Sequence, residues 1–305
     1  MTSNYRTARC GPACRVVWQG YFHDGSPLCR CPQKDVMDTL DLMLLLFAAL
    51  FAGLVDSMAG GGGLIQIPAL LQVLGNQSYP LVFGTNKLSS IVGTSGAAIR
   101  YARRVTVPWN TLTPAVLAAL PGAFAGAWAL SFVPRQWMAL TVPILLSAVA
   151  WYTWRNKSFG LHAQNRSWSN GQKRAIASAL GFSIGFYDGI FGPGTGTFLM
   201  LGFVALLGFD FLMATACAKF VNVACNLAAL LRFGMDGHLL VGLGLGMAVF
   251  NLLGSHIGST LALAHGAALV RRVLLAVVMV LIAKTGFDAY APLVSGLSVF
   301  GSVRS

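Results

Sequence analysis

Apolar residues fall into ten runs, arranged as two series of five. The first series covers about 42–58, 64–74, 79–99, 110–132 and 137–154, and the second about 175–190, 197–207, 211–231, 239–262 and 268–287. The last three runs of each series reach the roughly 17–25 residues that an α-helix needs to cross a bilayer. The first two are shorter and flank the glycine clusters Gly60-Gly61-Gly62-Gly63 and Gly192-Pro193-Gly194-Thr195-Gly196. Runs of glycine that dense interrupt a helix. Each short pair therefore predicts either two tilted crossings or a re-entrant hairpin, with irregular backbone that must face protein or a watery cavity.

The two series are related by one constant shift of 132 positions, that from Asp56 to Asp188. Gly53, Gly60 and Gly62 return as Gly185, Gly192 and Gly194, and Lys87, Ala97 and Arg100 as Lys219, Ala229 and Arg232. Leu120, Gly122 and Gly126 return as Leu252, Gly254 and Gly258. Duplicated membrane units are a common build of transporters, with the substrate site between the halves. The expected organisation is an extension over 1–36, a first membrane repeat over 37–154, a basic linker over 155–174, and a second repeat with its tail over 175–305.

Composition agrees with the pattern. The 305 residues are 56% hydrophobic and 10% charged, and the mean hydropathy is +0.68, unlike a soluble domain. The net charge of +12 does not call for nucleic acid, because Lys and Arg cluster between apolar runs, as in cytoplasmic loops. The basic stretch Arg155 to Arg174, the group Arg100, Arg103 and Arg104, and the pair Arg271 and Arg272 are all expected on the cytoplasmic side. Counting crossings between them places the lone Arg232 outside, opposite to its counterpart Arg100. The expected fold is an all-α polytopic membrane protein with two repeats in inverted orientation, each with a glycine-rich break between short helices and three long helices. Five crossings per repeat, ten in all, fit this charge placement.

The first 36 residues are polar and hold Cys10, Cys14, Cys29 and Cys31. Their spacing matches zinc ribbons poorly, and no metal or cofactor is called for elsewhere. Translation is expected to start at Met37; an N-terminal peptide from the native protein that contains Tyr5 or Tyr21 would overturn this. Cys217 and Cys225 lie in an apolar run and read as packing residues.

Buried charge supplies the candidate chemistry. The chain has no glutamate, and of its aspartates Asp56 and Asp188 sit well inside apolar stretches. Lys87 and Lys219 lie deep in long apolar runs, where a charge costs roughly 2.5–3.5 kcal/mol on insertion scales. Helical spacing puts Lys87, Ser90 and Thr94 on one face, and likewise Lys219, Asn222 and Asn226. Each set offers one amine and two neutral polar groups, suited to an oxyanion together with N–H groups freed where the short helices begin. Thr85, Asn86, Thr195 and Thr197 are further candidate donors, and Gly60, Gly61, Gly62, Gly63, Gly192, Gly194 and Gly196 the backbone that lines the breaks. The alternative is that Asp56 and Asp188 neutralise the lysines within the protein. Gly122, Gly126, Gly254 and Gly258 have the spacing of close helix packing, and Gly242, Gly244 and Gly246 read the same way. His256 lies inside an apolar run and is a candidate proton carrier, with Asn251 or Ser255 as hydrogen-bond partners instead. Lys284 and Asp288 read as an intrahelical pair.

Gly53-Leu54-Val55-Asp56-Ser57-Met58-Ala59 with four following glycines, then Pro68 and Gly84-Thr85-Asn86-Lys87, resembles the first signature of the sulfite exporter TauE/SafE family of membrane permeases. The stretch Gly185 to Gly196, followed by Ala214-Thr215-Ala216-Cys217-Ala218-Lys219 and Asn222, is similar to the second. The resemblance implies a multi-pass permease of small anions, in several members sulfite or organosulfonates, usually in the bacterial inner membrane. An enzyme is not expected, since no nucleophile with a base and no metal-ligand pair stands out. The alternative reading is an anion channel, or a membrane binding protein without coupled transport. The expected partners are a small anionic substrate and the lipid bilayer, and nothing in the sequence calls for a homodimer.

Overall fold

Eight α-helices and one 3₁₀ turn make up the described part of the chain. The structure is a computed structural model that describes residues 38–74, 77–132 and 167–301, with the backbone alone over 280–301. The apolar run at 137–154, most of the linker, the four N-terminal cysteines and the expected Lys284–Asp288 pair thus lie outside what is described. By internal contact the chain forms two units, Met1–Met43 and Leu44–Ser305, and everything below concerns the second.

Helix α1 (Thr39–Ala59) ends at the first glycine cluster and α2 (Gly63–Val73) follows it. Ser78 and Pro80 open α3 (Tyr79–Ala102), and α4 (Trp109–Ala129) runs into the 3₁₀ turn Leu130–Phe132. In the second half, α5 (Asn170–Ile190) begins with a capping box in which Ser169 and Gln172 satisfy each other's backbone N–H. That box starts the helix ahead of the apolar run near 175, so its first turn takes up the end of the expected linker. Helix α6 (Thr195–Leu207) follows the second break. Helix α7 (Phe211–Met235) is capped by Asp210, whose carboxylate accepts from Met213 N–H at 2.9 Å. Helix α8 (Val241–Gly301) is interrupted at Gly266 (φ 68°, ψ −162°), which divides the last two apolar runs. The starts of α2 and α6, α3 and α7, and α4 and α8 are all separated by the shift seen in the sequence.

Among the described residues, four helices are long and apolar enough to cross a membrane: α1, α4, α7 and Val241–Val273 of α8. The sequence pattern counts α3 as well. Its 24 residues suffice in length, but Thr85, Asn86, Lys87, Ser89, Ser90, Thr94 and Ser95 dilute its apolar character. Helices α2 and α6 have 11 and 13 residues, so they rise only about 16 and 20 Å at ~1.5 Å per residue.

The core is largely apolar, but the exposed surface is apolar too, and charge lies inside it. Phe47, Phe51, Leu117, Trp128, Leu231, Leu245, Val249 and Leu253 are exposed, while Lys87, Asp188, Lys219, Asn222 and Asn226 are buried. An apolar exterior around a charged interior is what a lipid solvent selects. The chain is an all-α, multi-pass membrane protein.

Glycine sets the tightest packing. A Cβ at Gly122 or Gly126 would overlap the carbonyls of Phe182 or Phe186, which seats α4 on α5; one at Gly254 or Gly258 would overlap the carbonyls of Leu50 or Leu54, which seats α8 on α1. Of the other group, Gly244 packs on Leu88, whereas Gly242 faces open space. Contact order gives the directions. Gly244 meets Leu88, Gly93 meets Asn251 and Arg100 reaches Ser259, so α3 and α8 run parallel. Gly84 meets Phe233, and Thr94 and Lys219 meet at one carboxylate, so α3 and α7 run antiparallel.

Candidate functional site

Each half places an aspartate in the last turn of a helix, just before a glycine break, and a lysine within a long helix. Asp56 closes α1 and Asp188 closes α5; Lys87 lies on α3 and Lys219 on α7. The pairing crosses between the halves. Lys87 Nζ lies 2.5 Å from Asp188 Oδ2, and Lys219 Nζ lies 2.9 Å from Asp56 Oδ2. Lys219 also donates to the backbone carbonyl of Asp56. Two cations thus face two anions in the protein interior.

The two breaks touch. Gly60, at φ 80°, has its backbone against that of Gly196. Thr197 Oγ1 donates to Ala59 O at 2.8 Å across this contact. The positive φ at Gly60 and at Gly194 (83°) turns the chain sharply enough for α2 and α6 to start there. Tyr101 braces the end of α1 by donating to Ser57 O at 2.9 Å, and Tyr187 braces the second break by donating to Pro193 O at 2.8 Å.

The candidate residues divide into those brought to the pairs and those used elsewhere. Thr94 Oγ1 donates to Asp56 Oδ2 at 3.2 Å, and Thr195 Oγ1 lies 2.6 Å from Asp188 Oδ1 and 2.8 Å from Gly192 O. Asn222 and Asn226 are buried beside Lys219 on α7, and neither side chain makes a hydrogen bond among the described residues. Ser90 is half-buried, while Asn86 is buried with its Oδ1 unpartnered. The hydroxyls of Thr85 and Thr197 do not point to a shared site: Thr85 donates to Leu81 O at 2.8 Å, and Thr197 is committed to Ala59.

His256 also departs from its expected setting. Its side chain is exposed on α8. Neither proposed partner serves it, because Asn251 Nδ2 donates to Gln66 Oε1 at 3.1 Å and Ser255 Oγ to Gly93 O at 2.6 Å. The backbone carbonyl of His256 instead receives Arg100 Nη1 at 2.8 Å. Gln66 is the residue that sequence reasoning missed: it is fully buried in α2, with Nε2 unpartnered. An amide two residues before Pro68, in a run whose one other amide is Gln72, was the available signal. Among the described residues, no three His, Cys, Asp or Glu side chains gather as a metal site.

These signatures and this architecture have relatives. The family model "Sulfite exporter TauE/SafE" matches residues 45–285, which takes in both breaks and all four paired charges. The chain belongs to this family. It is 40% identical over 252 residues to the "Probable membrane transporter protein ORF9" of Sinorhizobium sp, covering 83% of this chain and 95% of that protein. It is 34% identical over 255 residues to the "Probable membrane transporter protein YfcA" of Escherichia coli (strain K12), covering 84% and 93%. A "Probable membrane transporter protein" of Haemophilus influenzae is 30% identical over 250 residues, covering 82% and 96%. No solved structure matches. Membership makes the chain a membrane transporter of the TauE/SafE type.

Proposed function

We propose that this transporter is a permease for a small oxyanion, of the sulfite or organosulfonate class, bound between two inverted repeats in the bacterial inner membrane with the central linker cytoplasmic. The observation that carries the reading is the pair of buried lysine–aspartate contacts that cross between the halves at the two glycine breaks. Several features support inversion: the shared offset of the helices, the antiparallel course of α3 and α7, and the reciprocal seating of α4 on α5 and α8 on α1.

At one of these pairs the lysine, held by an aspartate of the other half, has two ways to be satisfied. In one state the carboxylate is its counter-charge, and in another an incoming anion takes that place. The exchange loosens a bond between the halves as the anion binds, which ties occupancy to their relative movement. Residual donors lie on the same helix as Lys219, in the side-chain amides of Asn222 and Asn226.

Purified protein in proteoliposomes is expected to give saturable sulfite flux, and sulfite or a small sulfonate is expected to raise its thermal transition in detergent. Flux that does not saturate, with unitary currents in a planar bilayer, would establish a channel instead. Stabilisation by small carboxylates alone would move the substrate to another class.

A further inference from the structure

We infer that the two lysine–aspartate pairs have separate jobs: Lys219, with Asn222 and Asn226, receives the anion and Asp56 is the counter-charge it displaces, while Lys87–Asp188 is a permanent latch between the halves. This rests on the anion-permease reading and makes its site more specific.

The pairs correspond under the sequence shift but not in their surroundings. Asp188 is closed. Its Oδ2 meets Lys87, its Oδ1 meets the Thr195 hydroxyl, and its side chain is 1% exposed against 3% for Lys87. Asp56 is open. Lys219 and Thr94 both bond its Oδ2, its Oδ1 makes no hydrogen bond among the described residues, and its side chain is 15% exposed against 1% for Lys219, so access to the pair lies on the aspartate side.

The cause lies in the sequence. Thr195, which seals Asp188, corresponds to Gly63, which has no hydroxyl to offer Asp56. The neighbours of the lysines differ in the same sense. On α3, Thr94 is spent on Asp56, and Ser90 carries a single hydroxyl. On α7 the corresponding residues are Asn226 and Asn222, whose amides can each donate twice and are uncommitted. A trigonal or tetrahedral oxyanion with several acceptor oxygens needs a cation and several donors that hold no other bond. The α7 stripe meets that need beside a carboxylate with a free oxygen and some access; the α3 stripe does not. Both lysines are buried, so the difference lies in the aspartates: Asp188, 1% exposed, has both oxygens bonded, whereas Asp56, 15% exposed, keeps one oxygen free and retains the Thr94 hydroxyl when it gives up Lys219.

Two doubly neutral variants separate the roles, because each removes a whole pair and strands no charge. Lys219→Met with Asp56→Asn is expected to abolish saturable sulfite flux and sulfite-induced thermal stabilisation while the protein inserts and elutes as a single species. Lys87→Met with Asp188→Asn is expected to lower the thermal transition yet keep the KM for sulfite within about threefold. If that protein does not insert, the reversed pair Lys87→Asp with Asp188→Lys is used, and restored flux in it supports the latch. Equal loss of flux in both double variants, or loss only in the Lys87–Asp188 variant, overturns the division of labour while leaving a lysine-based anion site standing. Full flux in both removes the lysines from transport and overturns the underlying reading as well.

Discussion

Replacing Lys219 with methionine is expected to abolish anion flux while the protein remains folded and inserted. Charge-assisted hydrogen bonds contribute roughly 1.5–3 kcal/mol, so losing the one cation on the α7 stripe should weaken anion binding about 10- to 150-fold. Folding should survive because Asp56 keeps the Thr94 hydroxyl and is 15% exposed, so its carboxylate is not stranded in a sealed interior. Lys87→Met provides the contrast. It leaves Asp188, 1% exposed, without a counter-charge, and breaking such a pair from one side costs about 3–5 kcal/mol. Flux measured in proteoliposomes, set beside the elution profile and thermal transition of each variant, distinguishes the two outcomes. Normal flux in Lys219→Met would remove this lysine from the mechanism.

The second large effect is expected at Gly60. Alanine there must adopt φ near 80°, and the left-handed region costs an L-residue roughly 1–2 kcal/mol. The added methyl would also overlap backbone atoms of Gly196 and Thr197, and backbone cannot rotate aside as a side-chain tip can. Relief means separating the two breaks, which breaks the Thr197–Ala59 hydrogen bond and disturbs the helix end that carries Asp56. Gly60→Ala should therefore lose most inserted, monodisperse protein. Gly242→Ala is the control, since that glycine is helical and meets nothing within 4 Å; it should be neutral or slightly stabilising. Equal thermal transitions for the two variants would show that the break is looser than the contact implies.

Much of this arrangement is legible in the chain itself. Glycine breaks, deep lysines and deep aspartates stand out because lipid makes charge and irregular backbone costly, so each occurrence marks a position with a use. The small-residue pairs at 122 and 126 and at 254 and 258 gave helix contacts for the same reason: only glycine permits that approach. Other features depend on neighbours that sequence does not display. The hydroxyls of Thr85 and Thr197 were free donors on a helical wheel but are taken by carbonyls in the structure. His256 lies in an apolar run, which does not tell which face of the helix it is on, and the side chain is exposed. Gln66 and Asn251 come from α2 and α8, so no spacing rule joins them.

Sequence alone determined the membrane class, the paired breaks, the offset between the halves and the four charges that need partners, because each follows from the cost of placing a residue type in hydrocarbon. Only the tertiary structure decided who partners whom. Lys87 with Asp188 and Lys219 with Asp56 join residues 101 and 163 positions apart, a choice made by how the halves dock. The same docking left Asp188 sealed by Thr195 and Asp56 with a free oxygen, so two lysine–aspartate pairs that correspond by sequence position have unequal surroundings.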